Sequence, residues 1–233
     1  MKRYCLYLFI LIGISCSAEL KAQRNGTVYK GNDPAVRYTG RTLVSPDGSV
    51  AFDWVGTYLE TRFTGGKLSV KVSETGTSYY NVFVDGKLHK VVKVCGTDTL
   101  IHLVSGIDKR IHSLKIQKRS EGEFGKTTVH QFVLSGSGRL AEEPAVRTRH
   151  IEFIGNSLTC GYGTDGKHRD EPFLVETENC NLTFASMVAR YYDADYTLIA
   201  HSGRGAARNY GDSVRVSKVT MKDRMLNTFD EDL

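Results

Sequence analysis

Between Val36 and Leu140 apolar residues alternate with small or polar ones, and no stretch there carries a helical repeat. Val50-Ala-Phe52-Asp-Trp54-Val55, Leu68-Ser-Val70-Lys-Val72, Val82-Phe-Val84, Leu114-Lys-Ile116 and Val129-His-Gln-Phe132-Val-Leu134 show the pattern. A strand turns successive side chains to opposite faces, so a period of two builds sheets with one face buried. Pro46-Asp-Gly48, Gly65-Gly66, Asp85-Gly86 and Gly136-Ser-Gly138 punctuate the runs as turns. Asp85-Gly86 directly follows Tyr80 to Val84 and predicts a tight hairpin, because glycine takes positive φ at little cost. Short strands at this spacing predict an antiparallel β-sandwich over residues 24–140.

Residues 141–149, Ala141-Glu-Glu-Pro-Ala-Val-Arg-Thr-Arg149, are polar with one proline and form the expected linker. Beyond them the periodicity changes. Ile151 to Ile154 is a short, mostly apolar run suited to a buried strand, and Gly155-Asn156 ends it. Leu182 to Tyr192 predicts an amphipathic helix, with Leu182, Ala185, Val188 and Ala189 on one side and Asn181 as its N-cap. Tyr196-Thr-Leu-Ile-Ala200 follows as a strand. Strand, helix and strand in that order predict a parallel sheet for residues 150–233.

Ser157 falls at the strand-to-turn junction after Ile154, where a side chain projects from the carboxyl end of a sheet. The glycine-rich run Ser202-Gly-Arg-Gly-Ala-Ala-Arg-Asn-Tyr-Gly211 leaves the second strand at the same end, where open α/β sheets hold ligands. A serine hydroxyl facing backbone N–H groups is the arrangement that attacks an ester and holds the resulting oxyanion. Thr159 stands where Gly-x-Ser-x-Gly needs its second glycine, which argues against the nucleophile elbow of α/β-hydrolases.

The string Ile151-Glu-Phe-Ile-Gly-Asn-Ser-Leu-Thr-Cys-Gly-Tyr-Gly163 instead resembles the first block of the SGNH (GDSL-like) hydrolases, in the form found in carbohydrate esterase family two. Tyr38-Thr-Gly-Arg41, Trp54-Val-Gly56, Phe63-Thr-Gly65, Val84-Asp-Gly86 and Lys118-Arg-Ser-Glu121 resemble landmarks of the jelly-roll domain that precedes the esterase domain in that family. Arg208-Asn-Tyr210 and Thr220-Met-Lys-Asp-Arg224 extend the resemblance towards the end of the chain. It implies a jelly-roll-like β-sandwich followed by the first part of a flavodoxin-like α/β SGNH domain. It also implies an exported, cofactor-independent esterase that removes acetyl groups from plant polysaccharide or oligosaccharide. Ser157 is then the nucleophile, and the N–H groups of Ser157 and Gly203 form the oxyanion hole. Asn156, Gly205, Asn209 and Tyr210 are candidate substrate contacts. In this family pattern an oxyanion asparagine and a catalytic histidine lie further along. Neither block appears before Leu233, and His150, His168 and His201 do not match the catalytic position. The 233 residues therefore read as stopping inside the hydrolase domain, with little activity expected of them alone. The competing class is a non-catalytic glycan-binding sandwich with a vestigial hydrolase stub. Trp54, Tyr58, Tyr79 and Tyr80 are its candidate sugar platforms, although such residues more often fill cores.

The remaining features bound this reading. A net charge of +5 with the signs interspersed argues against a nucleic-acid partner. Lys2, Arg3 and the apolar stretch Tyr4 to Ile14 read as a secretory signal over residues 1–22, too short to span a bilayer, with a lipid anchor at Cys16 as the alternative route. No later stretch is long enough for a membrane span. Cys95, Cys160 and Cys180 remain in the mature chain, either with Cys160 and Cys180 paired or with all three unpaired. Their spacing matches no metal-ligand set, so neither metal nor cofactor is expected.

Overall fold

The computed structural model describes residues 26–142 and 145–232. The expected export signal, Cys16, and Glu143 and Pro144 of the linker lie outside them. Nine strands form the first part: β1 (Gly26–Lys30), β2 (Val36–Thr39), β3 (Leu43–Val44), β4 (Val50–Phe52), β5 (Tyr58–Glu74), β6 (Thr77–Val84), β7 (Lys87–Cys95), β8 (Thr99–Lys118) and β9 (Thr127–Ser135). Every pairing among them is antiparallel, in the order β3-β4-β9-β5-β8-β6-β7, with β1 on β9 and β2 on β5. The core they enclose includes Phe52, Phe63, Leu68, Val82, Leu114 and Phe132, all nearly or fully buried.

Two strands are much longer than the alternation suggests, and the cause lies at Gly65-Gly66. These glycines do not separate two strands. They sit inside the 17-residue β5, where its register with β8 shifts twice around Gly66. Gly66 has φ of +92°, a conformation L side chains avoid, so the strand bends without ending. The first half of β5 pairs with β2 and the end of β8, and the second half pairs with β9 and the start of β8. Asp85 and Gly86 form the tight hairpin between β6 and β7, both at positive φ.

The second part opens with β10 (His150–Gly155), which pairs in parallel with β11 (Asp195–Ala200), Ile151 opposite Tyr196 and Gly155 opposite Ala200. Three short helices accompany them: α1 (Ser157–Cys160), α2 (Phe184–Tyr191) and α3 (Met221–Arg224). The helix expected from Leu182 begins later. Asn179, not Asn181, accepts the capping bond of a 3₁₀ turn over Cys180–Leu182, and α2 starts after Thr183. Its buried side is Ala185, Ser186 and Ala189, small residues that let it lie close to β11, while Leu182 and Val188 are exposed.

The two parts share side chains rather than merely touching. Val55 and Tyr58 pack with Cys160, Cys180, Ala185, Tyr196 and Leu198 in one cluster, and Trp54 packs with Ile199 and Met221 in another. Trp54, Tyr58 and Tyr80 are thus buried and unavailable to stack on a ligand. Tyr79 is partly exposed and donates to Glu176 Oε2 at 3.3 Å. Polar bonds seal the same seam. Tyr58 Oη donates to Asp195 Oδ1 at 2.7 Å, Gln117 Nε2 to Tyr196 Oη at 2.6 Å, and the Asp230 N–H to Asp53 Oδ1 at 2.9 Å.

Candidate active site

A cavity of about 560 Å³ opens at the carboxyl ends of β10 and β11, and Ser157 and Gly203 both line it. Asn156, Gly205, Tyr210, Ser202, Arg204, Arg208, Tyr162 and Glu123 complete its wall. The local sequence explains the placement of Ser157. Asn156 leaves the strand in an extended conformation, its Oδ1 accepts the Leu158 N–H at 3.2 Å, and its carbonyl accepts the Thr159 and Cys160 N–H groups. This cap starts α1 at Ser157 and turns the chain sharply off the strand end. The Ser157 carbonyl then takes the Gly161 and Tyr162 N–H groups, which closes the turn. Among the described residues the N–H groups of Ser157 and Gly203 have no protein acceptor.

The glycine loop is shaped by close approach. A Cβ on Gly205 would lie 2.0 Å from the Arg208 carbonyl oxygen, so no larger residue fits. Gly203 has φ of +73°, and its carbonyl accepts the Tyr210 N–H at 2.8 Å. Tyr210 stands at the rim, 93% exposed. Asn209 differs from expectation. It is buried outside the cavity lining, with Oδ1 accepting the Gly205 N–H at 3.2 Å and Nδ2 donating to the Val219 carbonyl at 2.8 Å. Its amide is spent on holding the loop, which accounts for an asparagine there without any ligand.

Beneath the cavity lies an acidic group that the sequence reading noticed only as a landmark. Lys118 ends β8, Arg119, Ser120 and Glu121 follow it, and all four are buried. Arg119 Nε donates to the Glu178 carbonyl, and its Nη2 donates to the Glu176 carbonyl, both at 3.0 Å, and it pairs with Asp165. Glu121 Oε2 accepts the Ser202 N–H at 2.5 Å and the Cys160 thiol at 3.4 Å, while the Glu121 N–H donates to Glu178 Oε2 at 3.0 Å. One carboxylate from the β-rich part thus ties the start of the glycine loop to the helix that carries Ser157. Glu178 is fully buried beside it, and burial together with the Glu121 charge raises it far above the usual carboxylate range. Burial and Glu121 thus favour the neutral Glu178 side chain, whose Oε1, like Glu121 Oε1, meets no partner among the described residues. The signal was available in the sequence: four polar residues run on from an alternating strand just where a solvent-facing edge would need no such run.

His150, His168 and His201, which do not match the catalytic position, do not line this cavity either. His150 Nε2 lies 2.9 Å from Thr197 Oγ1 near the opposite end of the strand pair. His168 is exposed. His201 is buried, its Nδ1 2.7 Å from Asp230 Oδ2 and its Nε2 3.7 Å from Glu123 Oε2. Burial disfavours the charged ring, yet Asp230 outweighs it and the His201 pKa is raised. Glu123, which does line the cavity, is also raised, by burial and by the charge of Glu121. Tyr162 stacks on Phe173 with ring centroids 3.6 Å apart, and Phe173 on Phe124 at 5.8 Å, so one wall of the cavity is a braced aromatic surface. Cys160 and Cys180 are unpaired, with Cys180 Sγ donating to the Lys118 carbonyl at 3.3 Å. Two donor clusters, Glu121–Cys160–Glu178 and His201–Asp230–Glu231, are close enough to suggest metals. In the first, burial favours the protonated forms of the Cys160 thiol and Glu178, which are poor metal ligands, and in the second the Arg224 Nη1 donates to both carboxylates at 3.1 and 2.9 Å, supplying the positive charge a metal would bring.

A family profile described as Carbohydrate esterase 2 N-terminal matches residues 38–144. The chain is 34% identical over 180 residues to the Cellulase/esterase CelE of Acetivibrio thermocellus, covering 77% of this chain and 22% of that protein. It is 31% identical over 199 residues to an acetylxylan esterase / glucomannan deacetylase of Cellvibrio japonicus, covering 82% of this chain and 54% of that one. Among solved structures it superposes on a family two carbohydrate esterase from Clostridium thermocellum in complex with cellohexaose, with a TM-score of 0.78, 33% identity, and coverage of 83% of this chain and 58% of that one. The chain thus spans about half the length of one of these curated relatives and less than a quarter of the other. With its N-terminal domain, its sequence and its fold all in agreement, this chain belongs to carbohydrate esterase family two.

Proposed function

We propose that this protein is an exported serine esterase that removes acetyl groups from plant cell-wall polysaccharide, with a β-sandwich domain at 24–140, a linker at 141–149 and the first part of an SGNH domain from residue 150. The supporting observation is the shared cavity: Ser157 and Gly203, whose N–H has no backbone acceptor among the described residues, line the same space. In the proposed reaction Ser157 Oγ bonds to the acetyl carbonyl carbon, and the negative charge formed on the carbonyl oxygen is held by the Ser157 and Gly203 N–H groups. The sugar oxygen leaves with a proton, and water then releases acetate from the serine. Asn156, Gly205 and Tyr210 would border the sugar, with Tyr162 as an aromatic floor. No histidine lines the cavity to serve as general base, so turnover by these residues alone is expected to be slow.

Added imidazole is the test, because it supplies the base that the hydroxyl needs. With 4-nitrophenyl acetate, hydrolysis by the wild-type chain should rise with imidazole above that of Ser157→Ala under the same conditions. Equal rates in both proteins would defeat the nucleophile assignment. Saturable glycan affinity that survives Ser157→Ala, with no ester turnover at any imidazole concentration, would favour the binding-protein reading instead.

A further inference from the structure

A second cavity, of about 360 Å³, lies along the seam between the two parts and shares none of its lining with the Ser157 cavity. Lys115 from β8, Arg147 from the linker and Arg190 from α2 converge on it, with Tyr196, Glu60 and Ser113 beside them. The charges do not balance. Glu60 and Asp195 are both taken up by arginines: Arg37 pairs with each, and Arg147 Nη1 lies 2.8 Å from Asp195 Oδ1 and 3.6 Å from Glu60 Oε1. Arg147 also reaches Asp193, which is largely exposed. Arg190 Nη1 donates to Asn181 Oδ1 at 2.8 Å, a neutral partner. Lys115 Nζ sits 3.6 Å from the Tyr58 ring centroid and 5.2 Å from that of Tyr196. Among the described residues it has neither a carboxylate within ion-pair distance nor a hydrogen-bond acceptor. The ring faces offset part of the cost of a half-buried ammonium, but no protein acceptor meets its three N–H donors. An ammonium and a guanidinium without anions, in a space large enough for a small ligand, form a site that lacks its negative partner.

We propose that this seam cavity binds a small oxygen anion, a carboxylate or inorganic oxoanion, through Lys115 and Arg190, with Phe83 and Tyr196 in its apolar wall. Its chemistry is shared by a uronate and by free sulfate or phosphate. Protonation supports the geometry. Burial lowers Lys115 to about 8 against the pull of Glu60, with Arg147 lowering it further and Cys180 and Asp195 acting the other way. A bound anion favours the ammonium, so binding near pH 8 takes up a fraction of a proton, whereas binding at pH 6 takes up almost none.

The test is calorimetric titration of the full chain with glucuronate, sulfate and phosphate, and with glucose as the uncharged control, in two buffers of different ionisation enthalpy at pH 6 and pH 8. The expected result is saturable binding of at least one anion, proton uptake at pH 8 only, and no glucose binding. Glucuronate alone identifies a uronate source, and the inorganic ions alone identify a free oxoanion. Arg190 is exposed, so Arg190→Gln should fold and weaken binding several-fold, and Lys115→Met should remove the pH-dependent proton uptake along with most affinity. Ser157→Ala should bind like wild type, which separates this site from the esterase reading. No anion binding at either pH, or binding that Arg190→Gln leaves unchanged, overturns the proposal.

Discussion

Replacing Glu178 by glutamine removes a group that the folded state can hardly afford to ionise. Folding raises Glu178 from 4.5 to about 9, through burial first and the Glu121 charge second. A raised acid pKa means that the folded chain keeps a proton the unfolded chain has released. Wild-type stability therefore falls as pH rises from about 4.5 towards about 9 and is level outside that window. The slope for one full proton is about 1.4 kcal/mol per pH unit, so the loss between pH 6 and pH 8 is at most about 2.7 kcal/mol. Relaxation around the buried acid brings the expected loss to about 1–2.5 kcal/mol. Glutamine keeps an acceptor for the Glu121 N–H and offers an amide donor to the Glu121 carboxylate without needing a proton. Glu178→Gln should thus match wild type near pH 5 and surpass it increasingly above pH 6. For a chain of this size the gain at pH 8 corresponds to about 3–10 °C in midpoint. Thermal unfolding followed by circular dichroism from pH 5 to pH 9 reads it directly. Parallel midpoint curves for the two proteins would refute the buried protonated acid.

Other outcomes follow from the seam and from the open side of the sheet. Burial opposes charge on Asp195, but bonds from Arg37, Tyr58 and Arg147 prevail and lower it to about 2. Its contribution is present above pH 3.8 and is lost as pH falls through about 2, so Asp195→Asn should flatten the acid limb of a stability profile, and an unchanged limb would count against the ion-pair network. Leu198 is fully buried between Val55, Tyr58 and Ala200, so Leu198→Ala should cost about 3–5 kcal/mol in urea unfolding, and a loss below about 1 kcal/mol would show that the seam is not a packed core. Ile154, Leu158, Phe184, Met187 and Tyr191 are exposed, and among the described residues β10 pairs only with β11. The 233-residue chain should therefore associate at micromolar concentration in light scattering, and a monodisperse monomer would contradict that expectation.

The periodicity of the sequence carried the change from antiparallel to parallel strands, although β10, expected as a buried strand, is at most half-buried. The alternation from Val50 to Leu134 became antiparallel strands, and Ile151 to Ile154 and Tyr196 to Ala200 became the parallel pair. Gly65-Gly66 misled because a bulge and a turn draw on the same glycine chemistry, and only long-range pairing with β8 and β9 tells them apart. The start of α2 was misplaced because Asn179, Asn181 and Thr183 are all good caps, and tertiary packing of Ala185 and Ala189 decided among them. At the site, Ser157, Gly203, Gly205, Asn156 and Tyr210 stand on local turns and could be read locally. Glu121 and Glu123 could not, because they come from beyond the end of β8 across the seam, Glu123 to the cavity wall and Glu121 beneath it. Asn209 was drawn into the expected contacts by its neighbours in sequence, although its amide is committed within the loop.

On the proposed reading, folding sets the Ser157 hydroxyl beside the Gly203 N–H, so that the oxyanion formed on attack is held even before a base is supplied. The direct measurement is labelling of the native and the urea-unfolded chain with an alkyl fluorophosphonate, followed by peptide mass spectrometry. The account predicts modification at Ser157 in the native chain, several-fold faster than in the unfolded one, with Ser202 unlabelled. Equal labelling in the two states, or native labelling at another serine, would contradict it.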